Sequence, residues 1–196
     1  MAEAARKRAT YADLARVPPN LVAEIIGGTL RTHPRPSPPH ARAAARLTMR
    51  LGRAFDDGLD GPGGWWILDE PEVHLLGDEV VVPDLAGWRL ERMPKLPETA
   101  WFDVVPDWIC EVLSPSTAAG DRADKMPLYA SAGVAHVWLV DPVLQTLEAY
   151  RRVDGDWMLC GTFRGDARVR AEPFDAVELE LAALWSPPAP ARPAHE

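Results

Sequence analysis

Cysteine is scarce in this chain: the 196 residues include two, Cys110 and Cys160, far apart and outside any Cys-x-x-Cys pair. That excludes a disulfide framework, and because the histidines do not cluster it excludes a zinc site as well. Both thiols are expected to be buried and inert. Long apolar runs are also missing. The longest, such as residues 132–140, are broken by glycine, histidine or charge well short of the roughly eighteen residues a membrane span requires. Residues 1–8 are basic but lead into a polar helix signal with no apolar segment, so no secretory signal is read, and a cytoplasmic address with no membrane partner is expected. There is no internal repeat. Positive charge is in deficit, with 21 Lys and Arg against 29 Asp and Glu and a net charge of -8. A protein that coats nucleic acid non-specifically relies on Lys and Arg to neutralise phosphates, and this balance argues against that mode. It is compatible with an enzyme that gathers carboxylates around a divalent cation and confines its positive charge to one groove. Arg42, Arg46, Arg50 and Arg53 either supply such a groove or form an ordinary solvated helix face; their spacing of three and four fits both.

What is present suits one compact domain: 47% of residues are hydrophobic, enough for a real core in a chain of this length. Residues 1–8 are expected to be a flexible N-terminus, 9–186 the domain, and 187–196 a disordered tail rich in Pro and Ala. Thr10 with Asp13 three residues on resembles a capping box opening a short helix that Pro18 and Pro19 close. Residues 21–32 predict two short strands joined by a tight turn at Gly27-Gly28, with Glu24 in the first. Helical spacing of Ala, Leu, Met and Phe predicts a long helix over 40–56. Strand composition recurs at 65–68, 72–76, 79–88 and 107–113, with a hairpin through Gly77-Asp78. A helix is expected over 118–132, bent at Pro127 and ended by Gly133. A strand over 136–140 and a hairpin of 147–153 and 157–163, turning at Asp154-Gly155, complete the pattern. Of eight tryptophans, Trp88, Trp108 and Trp138 alternate with strand residues and read as core. Trp65-Trp66 is the pair expected to be exposed, as a base-stacking platform or a dimer surface.

Two apolar strands each carry one carboxylate: Val80-Val81-Val82-Pro83-Asp84-Leu85 and Ile109-Cys110-Glu111-Val112-Leu113. An anion in such a setting must be partnered, neutralised or placed where a cation binds. Two of them suggest one shared cation, and Mg²⁺ suits the pair, because it prefers oxygen and takes one or two carboxylates plus water and substrate phosphate. The alternative is a pair of edge-strand acids facing solvent. With a strand period of two, Ile109, Glu111 and Leu113 share one face, and Trp108, Cys110 and Val112 the other.

Seven segments together resemble the Uma-type restriction-endonuclease family, a branch of the PD-(D/E)xK nuclease superfamily. They are Ala23-Glu24-Ile25-Ile26-Gly27-Gly28-Thr29-Leu30, Ser37-Pro38-Pro39-His40, Val82-Pro83-Asp84-Leu85, Glu111-Val112-Leu113-Ser114-Pro115-Ser116-Thr117, Asp121-Arg122-Ala123-Asp124-Lys125, Leu128-Tyr129-Ala130-Ser131-Ala132-Gly133-Val134 and Val137-Trp138-Leu139-Val140-Asp141-Pro142. Each is weak alone; their order and spacing are specific, and they span most of the chain. Ala23 and Gly27 stand where the family's first motif has an aromatic residue and an aspartate, while Glu24 is kept.

The resemblance implies an α/β (α+β) fold, a restriction-endonuclease-like mixed β-sheet flanked by helices in a single domain. It also implies a hydrolase: an endonuclease that cleaves phosphodiester bonds, with DNA as the expected substrate and Mg²⁺, or Mn²⁺ in its place, as cofactor. The catalytic set it implies is Glu24, Asp84, Glu111 and Lys125, with the metal on Asp84, Glu111 and the backbone carbonyl of Val112. In PD-(D/E)xK sites the residue two past the acid is normally a lysine that positions the attacking water. Here that place is Leu113, and Lys125 on the following helix takes the lysine's role, its plain alternative being an i,i+4 ion pair with Asp121 on an exposed helix. Glu24 would hold an outer-shell water or a second ion. His40 would contact substrate or Glu24, or else cap or pack its helix. Such enzymes often pair to cut two strands, so a homodimer is a further expectation. The competing readings are a catalytically silent nucleic-acid-binding or assembly module with the nuclease fold, and a metal hydrolase acting on another phosphoester.

Overall fold

The computed structural model describes residues 8–34 and 36–185; the flexible start and the 187–196 tail expected from sequence fall outside them, save for Arg8. The first helix, α1 (Tyr11–Leu14), opens with the expected capping box, in which the Thr10 N–H and hydroxyl both donate to Asp13 at 2.9 and 2.7 Å. The hairpin of β1 (Val22–Ile26) and β2 (Thr29–His33) follows. Gly27 and Gly28 turn it with φ of +62° and +71°, the double positive φ a two-residue hairpin turn demands. Helix α2 (Pro38–Leu51) starts with its prolines in the first turn, where no N–H is needed, and runs on as a π-helical segment, Gly52–Asp56.

Next come β3 (Trp65–Asp69), β4 (Val73–His74), β5 (Val80–Val81) and β6 (Leu85–Arg89). The single strand expected over 79–88 is thus two strands in different sheets. Pro83 has no N–H to give a ladder, and at residues 82–84 the chain crosses from one sheet to the other. Strand β7 (Trp108–Val112) leads to α3 (Ala118–Gly120), a π-helical segment (Asp121–Lys125) and α4 (Met126–Ala132), which ends at Gly133 with φ of +93°. At the place expected to bend, the chain widens its helical turn just before Pro127, and the Met126 N–H reaches the Asp121 carbonyl. The remaining strands are β8 (His136–Asp141), β9 (Thr146–Val153), β10 (Asp156–Arg164), β11 (Arg168–Val169) and β12 (Leu179–Glu180).

A six-stranded sheet has the order β10-β9-β8-β7-β6-β3, and a four-stranded sheet the order β2-β1-β5-β4. In the larger sheet β7 and β8 are parallel and the other pairs antiparallel, so it is mixed. The expected face parity of β7 holds. Trp108, Cys110 and Val112 pack with Ala43, Leu47, Trp138 and Phe174 on one side. Ile109 and Leu113 pack with Ile26, Val81, Tyr129 and Leu139 on the other. The three tryptophans read as core are buried. The Trp65-Trp66 pair is not an exposed surface: Trp65 is buried under the Arg89 guanidinium, and the Trp66 indole donates to the Met93 carbonyl at 2.9 Å. Of the two thiols, Cys110 is buried as expected, whereas Cys160 is exposed on edge strand β10. No helix among the described residues is long and apolar enough to cross a membrane.

Candidate active site

The β6–β7 register pairs Leu85 with Cys110 and Ala86 with Ile109; carried one residue further, it sets Asp84 opposite Glu111. Asp84 is held at both oxygens. Its Oδ2 accepts the Val112 N–H at 2.7 Å, and its Oδ1 lies 3.2 Å from His40 Nε2, brought in by the first turn of α2. The Val112 carbonyl also faces His40. Glu111 lies on the Ile109 and Leu113 face of an internal strand and is 3% exposed. It is therefore not an edge acid facing solvent.

Glu24 reaches this place from the other sheet. Its Oε1 accepts the Val82 N–H at 2.9 Å, fastening the crossover segment that carries Asp84, and lies 2.9 Å from Lys125 Nζ. Lys125 is 6% exposed and stands 3.2 Å from Glu111 Oε1 and 3.7 Å from Asp121 Oδ1. Its pairing with Asp121 exists, then, but in a buried cluster and not on an exposed helix. The Tyr129 hydroxyl donates to Glu111 Oε1. On the cleft side His33 Nε2 approaches Glu24 Oε2 at 3.3 Å. Glu24, Asp84, Glu111 and Lys125, the four residues proposed from sequence, line one cleft of about 380 Å³ together with His33, His40 and Asp121.

Five carboxylates, those of Glu24, Glu70, Asp84, Glu111 and Asp121, share this cleft with a single ammonium, and the three buried ones show the crowding in their protonation. Burial pushes the Glu111 carboxyl well above its ordinary value; Lys125 opposes this, while Asp121, Asp84 and Glu24 add to it. Asp121 is raised by burial too, against the pull of Lys125 and Thr117. Burial works to raise Glu24 as well, but His33, Lys125 and the Val82 N–H outweigh it and hold that carboxyl below its usual range. Burial would depress Lys125, yet Glu111, Glu24 and Asp121 keep it charged and raise it. Burial likewise opposes the charged form of His40, and Asp84 with the Val112 carbonyl more than offsets it.

Three participants were not assigned a role from sequence: Asp121, Tyr129 and His33. Asp121, Lys125 and Tyr129 fall at successive i,i+4 positions, one stripe of a helical face, and that spacing is the signal that links them. His33 has no comparable signal; only the β1–β2 pairing brings it toward Glu24. Among the described residues no three His, Cys, Asp or Glu side chains form a ready-made metal shell. Oxygen donors in and beside the cleft include the carboxylates of Glu24, Glu70, Asp84, Glu111 and Asp121 and the Val112 carbonyl.

Comparison with known proteins bears on this geometry. No curated protein matches the chain. Among solved structures, one described as a "putative nuclease belonging to DUF820" from Anabaena variabilis ATCC 29413 superposes with a TM-score of 0.73 at 22% identity, covering 90% of this chain and 97% of that one. At that identity the likeness establishes the shared fold. The family model named Uma2, "Putative restriction endonuclease", matches residues 8–183. That span takes in both sheets and every residue of the cleft, and the chain belongs to the Uma2 family.

Proposed function

We propose that this protein is a Mg²⁺-dependent endonuclease that hydrolyses phosphodiester bonds of DNA, with Mn²⁺ able to replace Mg²⁺. The observation that carries the reading is the position of Lys125: a buried ammonium on a helix, 2.9 Å from Glu24 and 3.2 Å from Glu111, beside the Asp84 carboxylate. It supplies from α4's approach the cation that a PD-(D/E)xK site takes from its strand, where this chain has Leu113.

The donor set suits a hard divalent cation. Asp84, Glu111 and the Val112 carbonyl offer only oxygen, and the surplus of carboxylates over ammonium leaves negative charge that such an ion neutralises. Two carboxylates suffice when water and substrate phosphate complete the shell. When bound, the ion would lower the pKa of a coordinated water and offset charge on the reacting phosphoryl group. The chain's own groups have distinct tasks. His40 and the Val112 N–H orient Asp84 through its two oxygens. Tyr129 and Lys125 hold Glu111 Oε1. Glu24 keeps Lys125 charged and aimed, so that the N–H of the ammonium not donated to Glu24 or Glu111 can reach either the attacking water or a phosphoryl oxygen as charge builds on it. Water gives up a proton to solvent as it adds to phosphorus, the bond to the leaving oxygen breaks, and that oxygen takes a proton from solvent.

The test is cleavage of supercoiled plasmid and short labelled duplexes in Mg²⁺, with Lys125→Met as control. Metal-dependent nicking that the variant loses is expected. Tight DNA binding with no cleavage in either Mg²⁺ or Mn²⁺ would instead support a silent module that keeps the nuclease fold.

A further inference from the structure

Strand β10 is the last strand of the six-stranded sheet and is bonded there to β9 alone. Which of its backbone groups face outward follows from the two ends of the β9–β10 hairpin. At the turn, Asp154 and Gly155 have φ of +52° and +96°, the type I′ combination that makes the flanking pair, Val153 and Asp156, a hydrogen-bonded couple. At the far end the Gly165 N–H donates to the Gln145 carbonyl at 2.9 Å, so Gly165, Phe163 and Gly161 direct their backbone groups at β9. The two alternations meet at Cys160, where the register shifts and a bulge takes up the extra residue. Trp157, Leu159, Thr162 and Arg164 are therefore left with N–H and carbonyl groups pointing away from the sheet. Among the described residues, the Arg164 carbonyl finds a partner there, the Ala167 N–H at 3.3 Å.

This edge lacks the usual protection. No proline or lysine stands between Asp156 and Arg164, and Met158 and Leu159 are 40% and 52% exposed. The bulge is the obstacle, since a straight foreign strand laid along β10 loses register at Cys160. A second β10 carries the same bulge. Run antiparallel, with Leu159 opposite Thr162 of the second copy, the outward residues couple throughout and the two bulges fall opposite each other at the dyad. The two-fold axis of such a pair is normal to the sheet, so each side chain stays on its own face and meets a complement. The exposed Arg164 guanidinium falls opposite the half-buried Trp157 ring, whose indole is fixed by its hydrogen bond to the Met126 carbonyl at 2.8 Å; this is a cation–π couple. Met158 falls opposite Phe163, a sulfur–aromatic couple.

We infer that β10 is a self-recognition edge, through which two copies of this chain join their larger sheets into one. The occupant is a second copy because the bulge, the cation and the aromatic positions of β10 complement themselves. A dimer uses up the β10 of both copies, so the assembly closes at two. The inference does not depend on the nuclease reading. A single strand pair buries an area at or below about 1,200 Å², the range of weak, reversible complexes, so a dimer that dissociates on dilution is expected.

The experiment is sedimentation velocity over a concentration series on the full chain, for the wild type, Thr162→Pro and Leu159→Lys, with circular dichroism and thermal unfolding of each. Thr162→Pro removes an N–H that points away from β9 and leaves the β9 ladder whole. Leu159→Lys places on the edge the charge with which natural edge strands prevent pairing. The wild type is expected to form a dimer and no larger species, and each variant, folded like the wild type, to weaken it about tenfold or more, two edge hydrogen bonds being lost per dimer in the proline variant. If Thr162→Pro does not fold, Leu159→Lys decides, because its side chain stands outside the core. A wild type that stays monomeric even at millimolar concentration overturns the inference. So does a dimer that the folded variants retain, which would place the interface elsewhere. Growth into trimers and larger species would mark an indiscriminately adhesive edge and overturns it as well.

Discussion

Strand β7 has two faces that carry opposite kinds of structure. On one, Trp108 packs edge-on against Trp138 and Phe174 with ring centroids 5.3 and 4.9 Å apart, a dry aromatic knot under α2. On the other, one residue along, Glu111 meets Lys125, Tyr129, Asp121 and, through the lysine, Glu24. Both faces are buried, yet the first is built of apolar packing, with the Trp138 indole donating to the Glu172 carbonyl at 2.7 Å and the Trp108 indole N–H without a hydrogen-bond partner among the described residues, whereas the second gathers more carboxyl groups than its one ammonium can pair. The difference teaches how a fold can carry an unstable site: the apolar face supplies stability that does not depend on pH or ligand, and the alternation of the strand places an electrostatic deficit directly behind it. Under the proposed function, that deficit is what a divalent cation would balance.

Changes on the two faces should separate stability from metal affinity. The largest effect is expected from Lys125→Met. Removing the one cation from a buried cluster leaves its carboxylates unpaired and should destabilise the protein by about 3–5 kcal/mol near neutral pH, and metal-dependent cleavage should vanish with it. That loss should shrink as pH falls. Glu111 and Asp121 have raised carboxyl values in the fold, so the native state takes up their protons before the unfolded chain does, and stability is gained as pH drops through the folded values and lost as it rises through them. Urea unfolding of the variant from pH 5 to 8 measures this; a pH-independent deficit would contradict it.

Trp108→Ala should produce a comparable loss, about 3–5 kcal/mol, with no pH slope of its own and with Mg²⁺ affinity preserved in the folded fraction. A loss of affinity beyond the unfolded fraction would mean that the faces are not independent. Tyr129→Phe keeps the ring in the core and deletes only the hydroxyl that holds Glu111. Metal affinity should fall about 10–100-fold, while unfolding shifts by about 1 kcal/mol. The reverse pattern in paired calorimetric and denaturation measurements would make Tyr129 a purely structural residue. The smallest effect lies at the sheet's rim: a thiol reagent should titrate Cys160 rapidly in the native protein and Cys110 only after unfolding, and Cys160→Ser should leave stability unchanged.

Much of this was legible in the chain because local chemistry and tertiary structure agree. The Gly27-Gly28 turn, the β7 parity, and Asp84 and Glu111 as paired anions all follow from rules that act over a few residues. What sequence could not yield depended on longer range. The crossover at residues 82–84 looked like continuous strand because the valines before it and the apolar residues after it have the same composition; Pro83 marked the break, but only the second sheet explains it. Asp121 resembled a solvated helix acid, since burial of that helix face is decided by β7 and β8 beneath it. Cys160 and Trp65-Trp66 were misjudged for the same reason: exposure depends on which strand forms the edge and what lies over it.

The central claim, that the cleft holds a divalent cation on Asp84 and Glu111, is tested most directly by calorimetric titration of Mg²⁺ into the wild type and an Asp84→Ala/Glu111→Ala variant whose folding is checked by circular dichroism. Saturable binding in the wild type that disappears in the folded variant is predicted. Equal binding by the two proteins, or none by the wild type at millimolar Mg²⁺ even with a DNA duplex present, would contradict it.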